Sequence, residues 1–174
     1  MSVTAVPLTS ITRRSKVKLF AGVAALMLAG AGLAWAGTEK LVRQSLPASA
    51  YLEKNAKAHG VVTTASGLQY KVLREGNGPR PTARAIVLVQ YEGRLTNGTV
   101  FDSSYQRRQP AAFPLQGLIP GWTEGIQLMP VGSKFRFWIP PELGYGAEGA
   151  GDGVIPPNAV LEFDVELLEI APQG

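Results

Sequence analysis

The chain has 174 residues, room for one domain with appendages but hardly for two, and its 45% hydrophobic content excludes a disordered or collagen-like polypeptide. Its formal charge of +4 does not mark a nucleic-acid binder: Arg13, Arg14, Lys16 and Lys18 precede the first acidic residue, Glu39, and the basic side chains that follow are matched by 13 acidic ones. With no cysteine and a single histidine, His59, the sequence offers no disulfide, no thiolate chemistry and no cysteine- or histidine-based metal site.

The N-terminus reads as an address. "RRSKVK" at 13–18 is followed by seventeen uncharged residues, "LFAGVAALMLAGAGLAW", and then by the small-aromatic-small "AWA" ending at Ala36. A positive stretch, an apolar stretch and an A-x-A ending describe a secretory signal with cleavage after Ala36. The rival is an uncleaved anchor, because the apolar run falls just short of a full membrane span. Either way residues 1–36 export the remainder, to the periplasm or to a tethered position on the inner membrane, and the membrane is met only through this segment. Residues 37–65 read as a short helical linker: "ASAYLEKNAKA" supplies helix formers after Pro47, and Gly60 stops them.

From Ser66 the pattern turns to strands, and residues 66–172 form the expected domain. "GLQYKVLREGNG" is a short strand closed by Gly-Asn-Gly, and "ARAIVLVQYEGRL" at 83–95 is long and β-branched. Asn97-Gly98 then signals a tight hairpin that returns "VFDSS" antiparallel. The same residues spell an N-glycosylation sequon, which the turn chemistry explains better. "AAFPL" at 111–115 suits an edge strand because of Pro114. "IPGWTEGIQLM" at 119–129 places Ile119, Trp122, Ile126 and Met129 on one helical face after a Pro-Gly start. "SKFRFWIP" and "VLEFDVELLEI" alternate apolar with charged residues as half-buried strands do. The fold class is α+β, an antiparallel sheet with the short central helix packed on its apolar face.

Several chemistries are missing: there is no G-x-S-x-G elbow, no HExxH and no Walker lysine. Asp102 and Glu124 are conceivable as paired carboxylates, but spacing alone does not bring them together. The glycine-rich run "GYGAEGAGDGVIPPNAV" at 144–160 opens onto neither a helix nor a lysine, as a phosphate cradle would require, so it reads as a pocket rim. What remains is a supply of aromatic and apolar groups beside turns, among them Tyr91, Phe101, Phe113, Trp122, Phe137, Tyr145, Ile155 and Phe163. Each one alone is an ordinary core residue. As a set near strand ends they suit a concave apolar site with a few polar groups.

Four blocks in order, "VQYEGRLTNGTVFDSS", "IPGWTEGIQLMPVGSKFRFWIP", "ELGYGAEG" and "IPPNAVLEFDVELLEI", resemble those of the FKBP-type peptidyl-prolyl cis-trans isomerases, over about residues 66–170. "GVVTTASGLQYKVLREGNGP" further resembles exported bacterial members of the Mip-like kind. The resemblance implies an FKBP-like fold, a twisted antiparallel sheet wrapped around a short central helix, and a proline pocket with Trp122 as its floor. Its walls would be Tyr91, Phe101, Leu118, Ile119, Ile155 and Phe163, with Phe113 and Ala111 at the side. Asp102 follows the pocket phenylalanine, Tyr145 would hydrogen-bond a ligand carbonyl, and the backbone N–H of Ile155 would be another donor. Ala111 stands where the family often has a third aromatic, which implies a more open wall, and the loop from Gly146 to Ile155 is one residue longer than in small members.

The implied activity is rotation of Xaa-Pro bonds in unfolded or partly folded exported polypeptides, with no cofactor and no metal. Macrolide inhibitors are implied as possible ligands, and the short segment before the domain suggests a monomer. The alternative is a chaperone or binding module that uses the same pocket with little catalysis.

Overall fold

The computed structural model describes residues 47–171. The expected signal or anchor at 1–36 lies outside the described residues. Among those described, no helix is long and apolar enough to cross a membrane.

Pro47 precedes helix α1, Ala48–Ala56. Strands β1, Val62–Thr63, and β2, Gln69–Arg74, follow. Then come β3, Ile86–Leu95, β4, Val100–Ser103, and β5, Ala111–Pro114. Helix α2 spans Pro120–Gln127, and β6, Lys134–Ile139, and β7, Leu161–Ile170, complete the sheet. All strands pair antiparallel in the order β1-β2-β6-β7-β3-β4. β3 lies against β7 along its length, while its other edge is shared by β5 near Val87 and by β4 near Gly93.

The sheet begins at Val62, inside the stretch read as a linker. Thr64 to Leu68 form a tight turn, with Thr64 N–H donating to the Leu68 carbonyl at 2.8 Å and Gly67 at φ +92°. β1 is only two residues long, too short to leave a period-2 pattern in the sequence.

The register sorts side chains into rows across the strands. One inward row runs Tyr70, Phe137, Phe163, Gly93, and the next runs Val72, Phe135, Val165, Tyr91. Between them lies an outward row, Lys71, Arg136, Asp164, Glu92. This is the pleat expressed as chemistry, apolar on one face and ionic on the other.

Helix α2 fills the apolar face. Trp122, Ile126 and Met129 are buried, as the helical spacing requires. Glycines let the helix lie this close: a Cβ on Gly121 would stand 2.6 Å from Ile139 Cγ2, and one on Gly125 2.7 Å from Phe137 Cε1. Any side chain at either place would lift the helix and the Trp122 it carries.

Helix α1 docks on the opposite face. Gln69, buried although polar, accepts from Asn55 Nδ2 at 2.8 Å and donates through Nε2 to the Leu52 carbonyl at 2.9 Å. Beside it Trp138 donates its indole N–H to Glu162 at 3.0 Å. Arg136 bonds Asp164 at 2.6 Å, and Arg94 reaches the same carboxylate at 2.7 Å.

Candidate active site

The site lies on the apolar face where β3, β4 and α2 meet. Tyr91 comes from the inward alternation of β3, Phe163 from that of β7, and Trp122 from the first turn of α2. The indole is only 4% exposed and is ringed by aromatics at right angles. Its centroid is 5.2 Å from Tyr91, 5.8 Å from Phe113 and 5.2 Å from Phe163. Edge-to-face pairs of this kind add about 0.5–1.5 kcal/mol each beyond burial. The Trp122 indole N–H has no hydrogen-bond partner among the described residues.

β4 delivers two adjacent residues to one face, which a regular strand does not do. Asp102 pairs with Gly93, but Val100 pairs with Arg94, so Phe101 is the extra residue of a β-bulge. The bulge turns both Phe101 and Asp102 inward, the re-aiming for which bulges recur near functional sites. Phe101 then meets Phe163 edge-on, centroids 5.4 Å apart. Gly93 makes room for them: a Cβ there would be 2.5 Å from Phe163 Cε1 and 2.7 Å from Phe101 Cε2.

Asp102 is buried and fully engaged. Tyr91 donates its phenolic O–H to Asp102 Oδ2 at 2.5 Å, and Arg107 Nη1 donates to Oδ1. Arg107 Nη2 closes the triangle by donating to the Tyr91 oxygen at 2.8 Å, and its guanidinium lies 5.5 Å over the Tyr91 ring. Burial pushes the Tyr91 phenol well above its ordinary pKa, and the hydrogen bond and charge of Asp102 push the same way. Burial opposes the charge on Arg107, but its bonds to Asp102 and Tyr91 outweigh that and hold it above its usual value. Tyr91 therefore has its hydroxyl committed. Arg107 was not singled out from sequence. The signal was present, since a buried aspartate demands a donor and two arginines follow it within a short turn.

Tyr145 differs from Tyr91 in this respect. Its phenol donates to nothing among the described residues, and burial, then the charge of Asp102, raises its pKa. Leu118, Ile119, Phe101, Ala111 and Tyr145 are partly exposed and packed on the buried set of Tyr91, Phe113, Trp122, Ile155 and Phe163. The apolar residues named from sequence belong to the hydrophobic core or to the half-buried side chains packed against it. Asp102 and Glu124 do not pair, because Glu124 accepts instead from Ser66 at 2.6 Å.

One expectation is corrected. The N–H of Ile155 is not free: Ala150 and Ile155 exchange backbone hydrogen bonds of 2.9 and 3.0 Å. A long loop must satisfy its own amides, and this one does so by closing on itself. The N–H of Ile119, at the N-cap of α2, has no acceptor among the described residues. A helix start leaves such donors open.

Comparison with known proteins identifies relatives of the chain. The family model of the FKBP-type peptidyl-prolyl cis-trans isomerases matches residues 78–168, and that of the domain amino terminal to such isomerases matches 33–72. The chain is 62% identical over 120 residues to the isomerase FkpA of Aeromonas hydrophila, covering 69% of this chain and 44% of that protein. It is 52% identical over 121 residues to the isomerase Mip of Coxiella burnetii, covering 70% and 52%. The crystal structure of FkpA from Escherichia coli superposes with a TM-score of 0.68 at 39% identity, over 91% of this chain and 65% of that one. The chain spans about half the length of the curated relatives it matches.

Proposed function

The chain belongs to the FKBP-type peptidyl-prolyl cis-trans isomerase family, and on that footing we propose that it catalyses Xaa-Pro bond rotation in proline-containing polypeptides outside the cytoplasm. The observation that carries the reading is Trp122, a buried indole floor walled by Tyr91, Phe113 and Phe163, with the Tyr145 phenol, unpartnered among the described residues, packed on the same core. The charged start and apolar run at 13–35 support export, by a cleaved signal or a tether.

Rotation faces a barrier of about 18–20 kcal/mol from amide resonance. Uncatalysed, an Xaa-Pro bond takes tens to hundreds of seconds to turn. The planar amide carries partial charges that water stabilises, and the twisted amide carries less. A proline ring seated over Trp122 and against the Phe101 and Phe163 rings leaves water, and the planar state loses more by that transfer. Tyr145 O–H and the open Ile119 N–H are the donors for carbonyls flanking the proline. They favour turnover to the extent that they fit the twisted form better. Asp102 and Arg107 do not touch the substrate in this scheme; they hold Tyr91 in place. The smaller Ala111 leaves the side wall open to bulkier ligands, macrolides included.

The test is the cis-to-trans relaxation of Ala-Leu-Pro-Phe with the full chain and with Phe101→Ala. Acceleration by the natural chain that is lost in the variant is the expected outcome. A folded natural chain that accelerates nothing, yet delays aggregation of an unfolded protein, would favour the chaperone alternative.

A further inference from the structure

The floor, Trp122, stands on a helix, and the walls Tyr91, Phe101, Phe113 and Phe163 stand on strands, which fix them. Tyr145 and Ile155 stand instead at opposite ends of a glycine-rich loop, so their spacing depends on how that loop closes. Backbone hydrogen bonds close it. Gly146 N–H donates to the Pro141 carbonyl at 2.9 Å, Gly149 N–H to that of Tyr145 at 3.2 Å, and Asn158 N–H to that of Gly146 at 2.8 Å. With the Ala150–Ile155 pair, the two limbs are held face to face.

They touch at Gly149. Its φ is +68°, and a Cβ there would lie 2.2 Å from the Ile155 carbonyl oxygen, 2.9 Å from Pro156 C and 3.1 Å from Pro157 N. All three are backbone atoms, so no rotamer change relieves the overlap; the limb bearing Ile155 must move. Gly153 provides the contrast. Its φ of +93° is as unfavourable for a side chain, yet a Cβ there meets nothing within 4 Å. The two glycines separate backbone strain from loop closure.

We propose that Gly149 is a positioning residue: its missing side chain sets the gap between Tyr145 and Ile155 and so decides which residues before proline the site accepts. This rests on the isomerase reading. Wall spacing acts on the neighbour of the proline because the proline ring itself is seated on the sheet and helix residues.

The experiment compares the full natural chain with Gly149→Ala and Gly153→Ala, each confirmed folded by circular dichroism. Relaxation of Ala-Xaa-Pro-Phe is followed with Xaa as Gly, Leu or Phe. In Gly149→Ala the ratio of kcat/KM between the Leu and Gly peptides should change by about fivefold or more, a pocket-level discrimination. Gly153→Ala should keep the natural ratio. Loss of folded enzyme alone lowers every peptide by one factor and leaves the ratio alone, and that result would overturn the assignment. An equal change of ratio in Gly153→Ala would also overturn it, by tracing the effect to φ strain. Amide NMR shifts of Tyr145 and Ile155 give a readout that needs no turnover: they should move in Gly149→Ala and hold in Gly153→Ala. If the natural chain accelerates no peptide, the isomerase reading falls while those shifts still judge the lock.

Discussion

Two tyrosines share the site, and their hydrogen bonds assign them different work. The Tyr91 O–H is spent on Asp102, and its oxygen accepts from Arg107, so removing it disturbs a buried network. Tyr145 holds no partner among the described residues, so Tyr145→Phe removes only what the phenol does for a bound chain. A hydrogen bond is worth about 0.5–1.5 kcal/mol net, so kcat/KM for a proline tetrapeptide should fall about two- to twelvefold. The urea midpoint should not move. Burial and the Asp102 charge raise the Tyr145 pKa, so the O–H persists to higher pH than in an ordinary tyrosine. The kcat/KM profile of the natural enzyme should stay flat through neutral pH and up to pH 9, falling only where this raised phenol ionises. A fall at lower pH would mean another group gives the key hydrogen bond.

Helix α1 poses a different question, because none of its residues is fully buried and yet it is placed. Gln69 does most of the placing. Paired with Trp138 across β2 and β6, it faces away from the site and receives α1 through two hydrogen bonds. Gln69→Ala strands the Asn55 amide and the Leu52 carbonyl and should cost about 1–3 kcal/mol in urea unfolding. It should leave kcat/KM unchanged, which peptide relaxation checks; a matching loss of activity would tie α1 to the catalytic face. Elements of this kind mark the limit of what was legible. The alternation of β3 and β7, the Asn97-Gly98 hairpin and the spacing of α2 were readable because each is a local pattern with one buried face. The pairing of β2 with β6 was not, since nothing local links Tyr70 to Phe137. The Phe101 bulge was hidden for the same reason: an extra residue exists only relative to a partner strand. The Ile155 amide was misread because a glycine run shows freedom in sequence, while the fold spends that freedom on hydrogen bonds within the loop.

The sheet separates two kinds of chemistry by its thickness, and acid should act on them unequally. The apolar face holds the aromatic site; the other face holds Arg94 and Arg136 around Asp164, with Glu162 at 3.5–3.6 Å from both arginines. Burial alone would raise the Asp164 carboxyl, but the hydrogen bond and charge of Arg136, with those of Arg94, outweigh it and hold it below the usual range. A depressed carboxylate pKa means the folded state gives up its charge at lower pH than the unfolded chain does. Its contribution to stability is therefore complete above the ordinary carboxylate pKa of about 3.9 and is lost as pH falls through the lower folded value. In the natural protein the melting temperature should drop steeply below about pH 4. Asp164→Asn should start lower at pH 7, by about 1–3 kcal/mol for a partly buried network. It should then show a shallower slope in acid, because the group responsible is gone. The partial exposure of the arginines predicts that added salt narrows the gap between the two proteins at pH 7. Since this network is on the far side of the sheet from Trp122, kcat/KM per folded molecule should be the same for both at pH 7. A parallel acid slope in Asp164→Asn would place the acid-sensitive group elsewhere.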